Sequence, residues 1–107
     1  MTEHVVVLVT AASADEAARL GRTLVEERLA ACANVVGPIR SIYRWQGAIT
    51  RDDEHLLLIK TTAARYAALE ARVLSLHAYE NPEVIAVPVE QGAAGYLEWI
   101  KDVTGGQ

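Results

Sequence analysis

Eight consecutive residues, Leu76-His77-Ala78-Tyr79-Glu80-Asn81-Pro82-Glu83, carry an imidazole, a phenol, two carboxylates and an amide. Pro82 fixes its own φ and pushes Asn81 out of the α region, so a helix arriving from the N-terminal side must stop before this point. The result is a stiff turn presenting polar side chains from a fixed backbone, and such turns are where sites tend to be built. The same residues also have a plainer use. A histidine in a last helical turn gains from the helix dipole, with Glu80 simply solvated.

Metal chemistry needs more than one such residue. His4, His55, His77, Cys32 and several carboxylates are available, but none has ligand spacing such as C-x-x-C or H-x-x-x-H. Cys32 follows a first helix-like stretch and His77 ends a second. Where such helices lie side by side on a sheet, the two could approach across the fold or across a subunit boundary. A thiolate with an imidazole would suit copper or zinc. Otherwise Cys32 is a small buried apolar residue. Nucleophilic catalysis by Cys32 with His77 lacks an oxyanion-hole motif and any orienting group beyond Glu80, so no enzyme is expected. The first strand-to-helix junction, Thr10-Ala11-Ala12-Ser13, has no glycine to cradle a phosphate. Lys60, at a strand end, could hold an anion or be solvated.

The elements that must position these residues are read from periodicity. Val5 to Thr10 is continuous, apolar and β-branched, a strand covered on both faces. Ser13 reads as an N-cap and Glu16 completes a capping box. Ala17, Leu20, Leu24, Val25 and Leu29 then predict an amphipathic helix from about Ala14 to about Ala31. A second strand starts near Asn34 and is interrupted at Gly37-Pro38. Ser41, Tyr43 and Trp45 alternate on one face, and Gly47 signals a turn. The stretch from Ile49 through Arg51-Asp52-Asp53-Glu54 reads as an exposed hairpin tip, and Leu56 to Thr61 as the third strand. Thr62 could cap a second helix whose buried stripe is Tyr66, Leu69, Val73 and Leu76. Val84 to Val89 is a fourth strand, with Pro88 at a sheet edge or strand end. Tyr96, Leu97, Trp99 and Ile100 suggest a short last helix, and the tail Thr104 to Gln107 is expected to be mobile.

The order β-α-β-β-α-β plus a short helix predicts an α/β, ferredoxin-like split βαβ fold. Its helices cover one sheet face. Tyr43, Trp45 and the apolar strands require cover on the other, and in so small a chain the economical cover is another copy of itself. The 107 residues make one domain, 1–107, and the 51% apolar content suffices for a core built without Phe. A net charge of −4 and scattered basic residues argue against nucleic acid as a partner. The single cysteine excludes an intrachain disulfide. The N-terminal stretch has no basic n-region, and Val5 to Val9 is too short for a signal core or a membrane span. A cytoplasmic protein is expected.

Five blocks together carry a resemblance: Leu29-Ala30-Ala31-Cys32-Ala33-Asn34, Ser41-Ile42-Tyr43-Arg44-Trp45-Gln46-Gly47, Leu58-Ile59-Lys60-Thr61, His77 to Glu83, and Tyr96-Leu97-Glu98-Trp99-Ile100. Their order and spacing, from about Val5 to Ile100, resemble the CutA divalent-cation tolerance proteins. The resemblance implies a tight homotrimer of ferredoxin-like subunits with hairpin strands extending between neighbours. It also implies a role in tolerance of copper and other divalent cations, and weak copper or divalent-metal binding. The family's proposed bacterial ligands are a Cys at the end of the first strand and a His pair before the Tyr-containing turn. Here Val9 and Leu76 stand at two of those positions and only His77 remains, while Cys32 matches a widespread family cysteine. His77, Tyr79 and Glu80 are then expected to line a cleft with Tyr43, Trp45, Lys60 and Cys32, with His77 and Cys32 as candidate metal ligands. The alternative is a trimeric scaffold in the manner of the PII signalling proteins, which share this fold and bind small anionic effectors between subunits.

Overall fold

The computed structural model describes residues 3–105. Strand β1 (His4–Ala11) leads into helix α1 (Ala14–Glu26) and then strand β2 (Cys32–Trp45). Strand β3 (Ala48–Thr62) returns antiparallel and passes through a short 3-10 turn into helix α2 (Tyr66–Leu76). Strand β4 (Val84–Pro88) and helix α3 (Ala94–Val103) complete the order. The antiparallel sheet runs β2-β3-β1-β4, so β3 is inserted between the two strands of the first βαβ unit and β4 lies at an edge. This is the ferredoxin-like split βαβ arrangement.

Alternation along β1 sorts the two faces. Val5, Val7, Val9 and Ala11 are buried and join Leu57 and Ile59 of β3. Ala17, Leu20 and Leu24 of α1 and Leu69 and Val73 of α2 close over them. Each fully buried aliphatic side chain contributes about 1.5–3 kcal/mol to this core. The register puts Val6 and Leu8 on the opposite face with Leu56 and Leu58, and with Ile85 and Val87 of β4. Helix α3 covers one end of that face. It is tied there by a 2.8 Å bond between His4 Nε2 and the Leu97 carbonyl. Ile85 and Val87 remain 51% and 46% exposed, an apolar surface left open in the single chain.

Ser13 caps α1 as expected, its Oγ accepting the Glu16 N–H at 3.1 Å. The helix stops five residues early, at Glu26. Leu29 N–H bonds the Leu24 carbonyl, Arg28 N–H bonds that of Val25, and Arg28 takes φ 61°. Those are the paired bonds of a Schellman stop, built here without glycine. The hairpin is longer than expected. Gln46 and Gly47, both at positive φ, make a two-residue turn, and Trp45 pairs with Ala48. Ala48 to Glu54 is therefore strand, not a loose tip. Thr62 makes no side-chain cap, and Leu76 is 40% exposed instead of joining the α2 stripe. Thr104 is packed, its Oγ1 bonding the Ile100 carbonyl, while Gly106 and Gln107 of the expected mobile tail lie outside the described residues.

Candidate functional site

Strand β3 outruns its neighbour. Its pairing with β1 ends at His55 opposite Ala11, while Ala48 to Glu54 continues along β2 alone. The turn after α2 folds into the space this leaves beside β3.

Two carbonyl-and-carboxylate contacts hold that turn. His77 Nε2 donates to the Thr10 carbonyl at 2.7 Å, and its Nδ1 accepts the Tyr79 N–H at 3.0 Å. That pair of bonds selects the neutral Nε2-protonated ring. The Glu16 carboxylate, carried by the first turn of α1, accepts the Ala12 N–H at 3.3 Å and the Ala78 N–H at 3.1 Å. The carboxylate expected to close a capping box on Ser13 instead accepts the Ala12 N–H one residue earlier, and it also anchors the turn 62 residues downstream. Tyr79 stacks against His77 at 4.6 Å between ring centroids, and its hydroxyl donates to Glu54 Oε2 at 2.7 Å.

Between turn and hairpin lies a cleft of about 620 Å³. Tyr43, Trp45 and Tyr79 supply its aromatic walls. Asp52, Glu54, Glu80 and Glu83 supply four carboxylates, against the single guanidinium of Arg44. Burial and then the nearby Glu54 carboxylate raise the Glu83 carboxyl above the usual range. The Tyr43 phenol donates to Asp52, and that bond is the main cause of its raised pKa. Burial first, then the Glu54 bond, raises Tyr79. Both phenols stay protonated at neutral pH and keep donating. The cleft is an electronegative, aromatic-walled pocket.

Of the residues expected to gather, Tyr43, Trp45, Tyr79 and Glu80 do so. Lys60 and Cys32 do not. They pair with each other across β2 and β3 on the same face but at the opposite end of the strands, where Asn34 Oδ1 accepts from Lys60 Nζ and lies 3.8 Å from Cys32 Sγ. His77 is part of the turn's frame, not of the cleft lining, and both ring nitrogens are used. The expected Cys32–His77 metal pair is therefore not assembled within a subunit. Among the described residues, no group of three or more His, Cys, Asp or Glu side chains is poised around one metal position. Asp52, Glu54 and Glu83 complete the cleft and were not expected there. The available signal was period two: Asp52 and Glu54 continue the face of Leu56 and Leu58.

The model of the family described as CutA1 divalent ion tolerance protein matches residues 5–103. The Divalent-cation tolerance protein CutA of Thermus thermophilus is 48% identical over 100 residues, covering 94% of this chain and 97% of that protein. The solved Thermus thermophilus Cut A1 structure superposes with a TM-score of 0.93 at 47% identity, over 95% of this chain and 99% of that one. Protein CutA of Homo sapiens is 48% identical over 90% of this chain, which spans only 54% of that protein. Cytoplasmic placement, expected from the sequence, finds no support in these relatives. Arabidopsis thaliana has a Protein CutA described as chloroplastic, and the CutA structure from Archaeoglobus fulgidus is described as periplasmic. No helix among the described residues is long and apolar enough to cross a membrane. With its sequence and fold in common with these proteins, the chain belongs to the CutA1 divalent ion tolerance family.

Proposed function

We propose that the protein serves divalent-cation tolerance as a homotrimer, and that it does so by binding cations weakly in the cleft, without catalysis. The observation that carries the reading is the excess of carboxylates there: Asp52, Glu54, Glu80 and Glu83 against Arg44. Glu54 is only 7% exposed, so its charge is poorly screened by water. Oxygen donors suit a hard or borderline divalent ion that keeps much of its water, and copper has the highest affinity of the first-row series for such donors. The lack of a three-ligand cluster among the described residues makes the binding weak. An anionic effector of the PII kind would meet the same carboxylates unfavourably. Trimer assembly is supported by the open apolar face around Ile85 and Val87 and by the family's chain-long match.

Calorimetric titration with copper, zinc and magnesium tests the site. Glu83→Gln and Glu54→Gln should weaken binding, and Cys32→Ser should leave it unchanged. Loss of binding in Cys32→Ser with none in Glu83→Gln would move the site to the cysteine and overturn the reading.

A further inference from the structure

We propose that the cleft recognises an organic cation, a guanidinium or alkylammonium head, through the rings of Tyr43 and Trp45 and the carboxylates of Glu54 and Glu83. The proposal rests on the cation-binding reading of this cleft and narrows it to a chemical class.

Three features of the cleft favour a molecule over a bare ion. Its volume of about 620 Å³ falls in the range of small-molecule pockets, roughly 300–1,000 Å³. It has no assembled metal-ligand set among the described residues. Its walls are aromatic as well as acidic, and a metal hydrate gains little from aromatic walls.

The orientation of the polar groups adds to this. Both phenols donate inward, Tyr43 to Asp52 and Tyr79 to Glu54, so their hydroxyls are committed to the frame. Beside the Ser41 hydroxyl, the Asn81 amide and Arg44, the cleft offers carboxylate oxygen and ring face, with Trp45 42% exposed. A cation set over an aromatic face is attracted by the ring quadrupole, most strongly over Trp. A guanidinium also matches a carboxylate in two-point geometry and loses less hydration on entry than a compact ion. Such a head would relieve the repulsion between Glu83 and Glu54. Arg44 is the one group on the wall that opposes it. The head could belong to a free amine or to an arginine or lysine side chain of another protein, and these are separable.

The assembled protein is titrated with agmatine, with the capped tripeptide acetyl-Gly-Arg-Gly-amide, and with N-butylurea as an uncharged control. Binding is read by calorimetry and by the indole signals in proton–nitrogen NMR, assigned with Trp45→Phe. Agmatine should bind and shift the Trp45 indole, and N-butylurea should not. Glu83→Gln should weaken agmatine about tenfold, as loss of one charge-assisted pair would. Trp45→Ala should weaken it several-fold while Trp45→Phe retains most of the affinity. Equal or tighter binding of the tripeptide assigns the head to a protein side chain; agmatine alone assigns it to a free amine. Agmatine and N-butylurea acting alike would overturn the proposal. If divalent ions bind with the Glu83 dependence and agmatine does not, the organic-cation inference falls and the cation site stands. If neither binds, both fall.

Discussion

The Tyr79 hydroxyl donates to Glu54 Oε2 at 2.7 Å, a bond between residues 25 apart in sequence. It joins the stiff turn after α2 to the half of β3 that has no second strand neighbour. Two segments that the backbone alone leaves adjacent are thereby fixed as opposite walls of one cleft. Tyr79→Phe removes the donor and leaves Glu54, only 7% exposed, with one fewer partner. The expected loss is about 1.5–3 kcal/mol in urea unfolding, the range for a hydrogen bond to a charged group. An unchanged denaturation midpoint would show that the bond contributes nothing to holding the walls.

Glu83 sets a pH dependence. Burial and Glu54 raise its folded pKa above the reference value of 4.5. Between the unfolded and the raised folded value, the native state holds more protons than the unfolded state. Stability from this group therefore falls as pH rises through that window and is recovered below it. Glu83→Gln removes the penalty. The variant should be more stable than wild type at pH 7, with the difference shrinking towards pH 4, in urea melts at the two values. The same substitution weakens cation binding, so stability and binding should move in opposite directions.

Gly37 tests the start of the hairpin extension. It sits where β2 shifts register between Val36 and Ile39, opposite His55. A Cβ added there would meet His55 Cδ2 at 2.6 Å and Cγ at 2.9 Å, with the Glu54 carbonyl 3.2 Å away. Gly37→Ala should cost about 1–3 kcal/mol, the usual range for overpacking. In a His55→Ala background the cost should drop, because the ring that the methyl meets is gone. A double-mutant cycle by thermal unfolding reads that coupling. Equal costs in both backgrounds would place the strain in the backbone instead.

What the sequence made legible divides along physical lines. The strands and helices followed from periodicity, and the turn with Tyr79 and Glu80 followed from Pro82. Tyr43 and Trp45 were placed on one face by alternation. The end of α1 was hidden because Leu29 continues the apolar stripe, and the stop is made by Arg28 at φ 61° where glycine would have signalled it. Asp52 and Glu54 were misplaced because a run of charges reads as solvated, whereas Glu54 is enclosed by a turn some 25 residues later. Cys32 and His77 were paired because they end neighbouring elements. Register alone shows that Cys32 sits opposite Lys60, four residues along β3 from the Leu56–Thr10 pair near which His77 is anchored. Periodicity assigns a face, but only pairing assigns a position along it.

The open face of the sheet carries the last prediction. Ile85 and Val87 of β4 are 51% and 46% exposed, and Val36 of β2 is 42% exposed. On the other face of the hairpin, beyond the helices, Ile42 and Ile49 are 68% and 63% exposed. So much apolar surface on one small subunit marks an interface. If three copies cover it, light scattering should give three times the 11.6 kDa chain mass. Unfolding would then be coupled to dissociation, and the melting temperature should rise with protein concentration. Ile85→Asp should break this assembly, since it puts a charge into an apolar contact without a partner, while leaving the helix-covered core of Val7, Val9, Leu57 and Ile59 intact. The expected result is a smaller species that still shows a cooperative melt at a lower temperature, provided a single subunit folds. A wild-type monomer over two decades of concentration, or an Ile85→Asp protein with unchanged mass and melting temperature, would rule out this face as the contact.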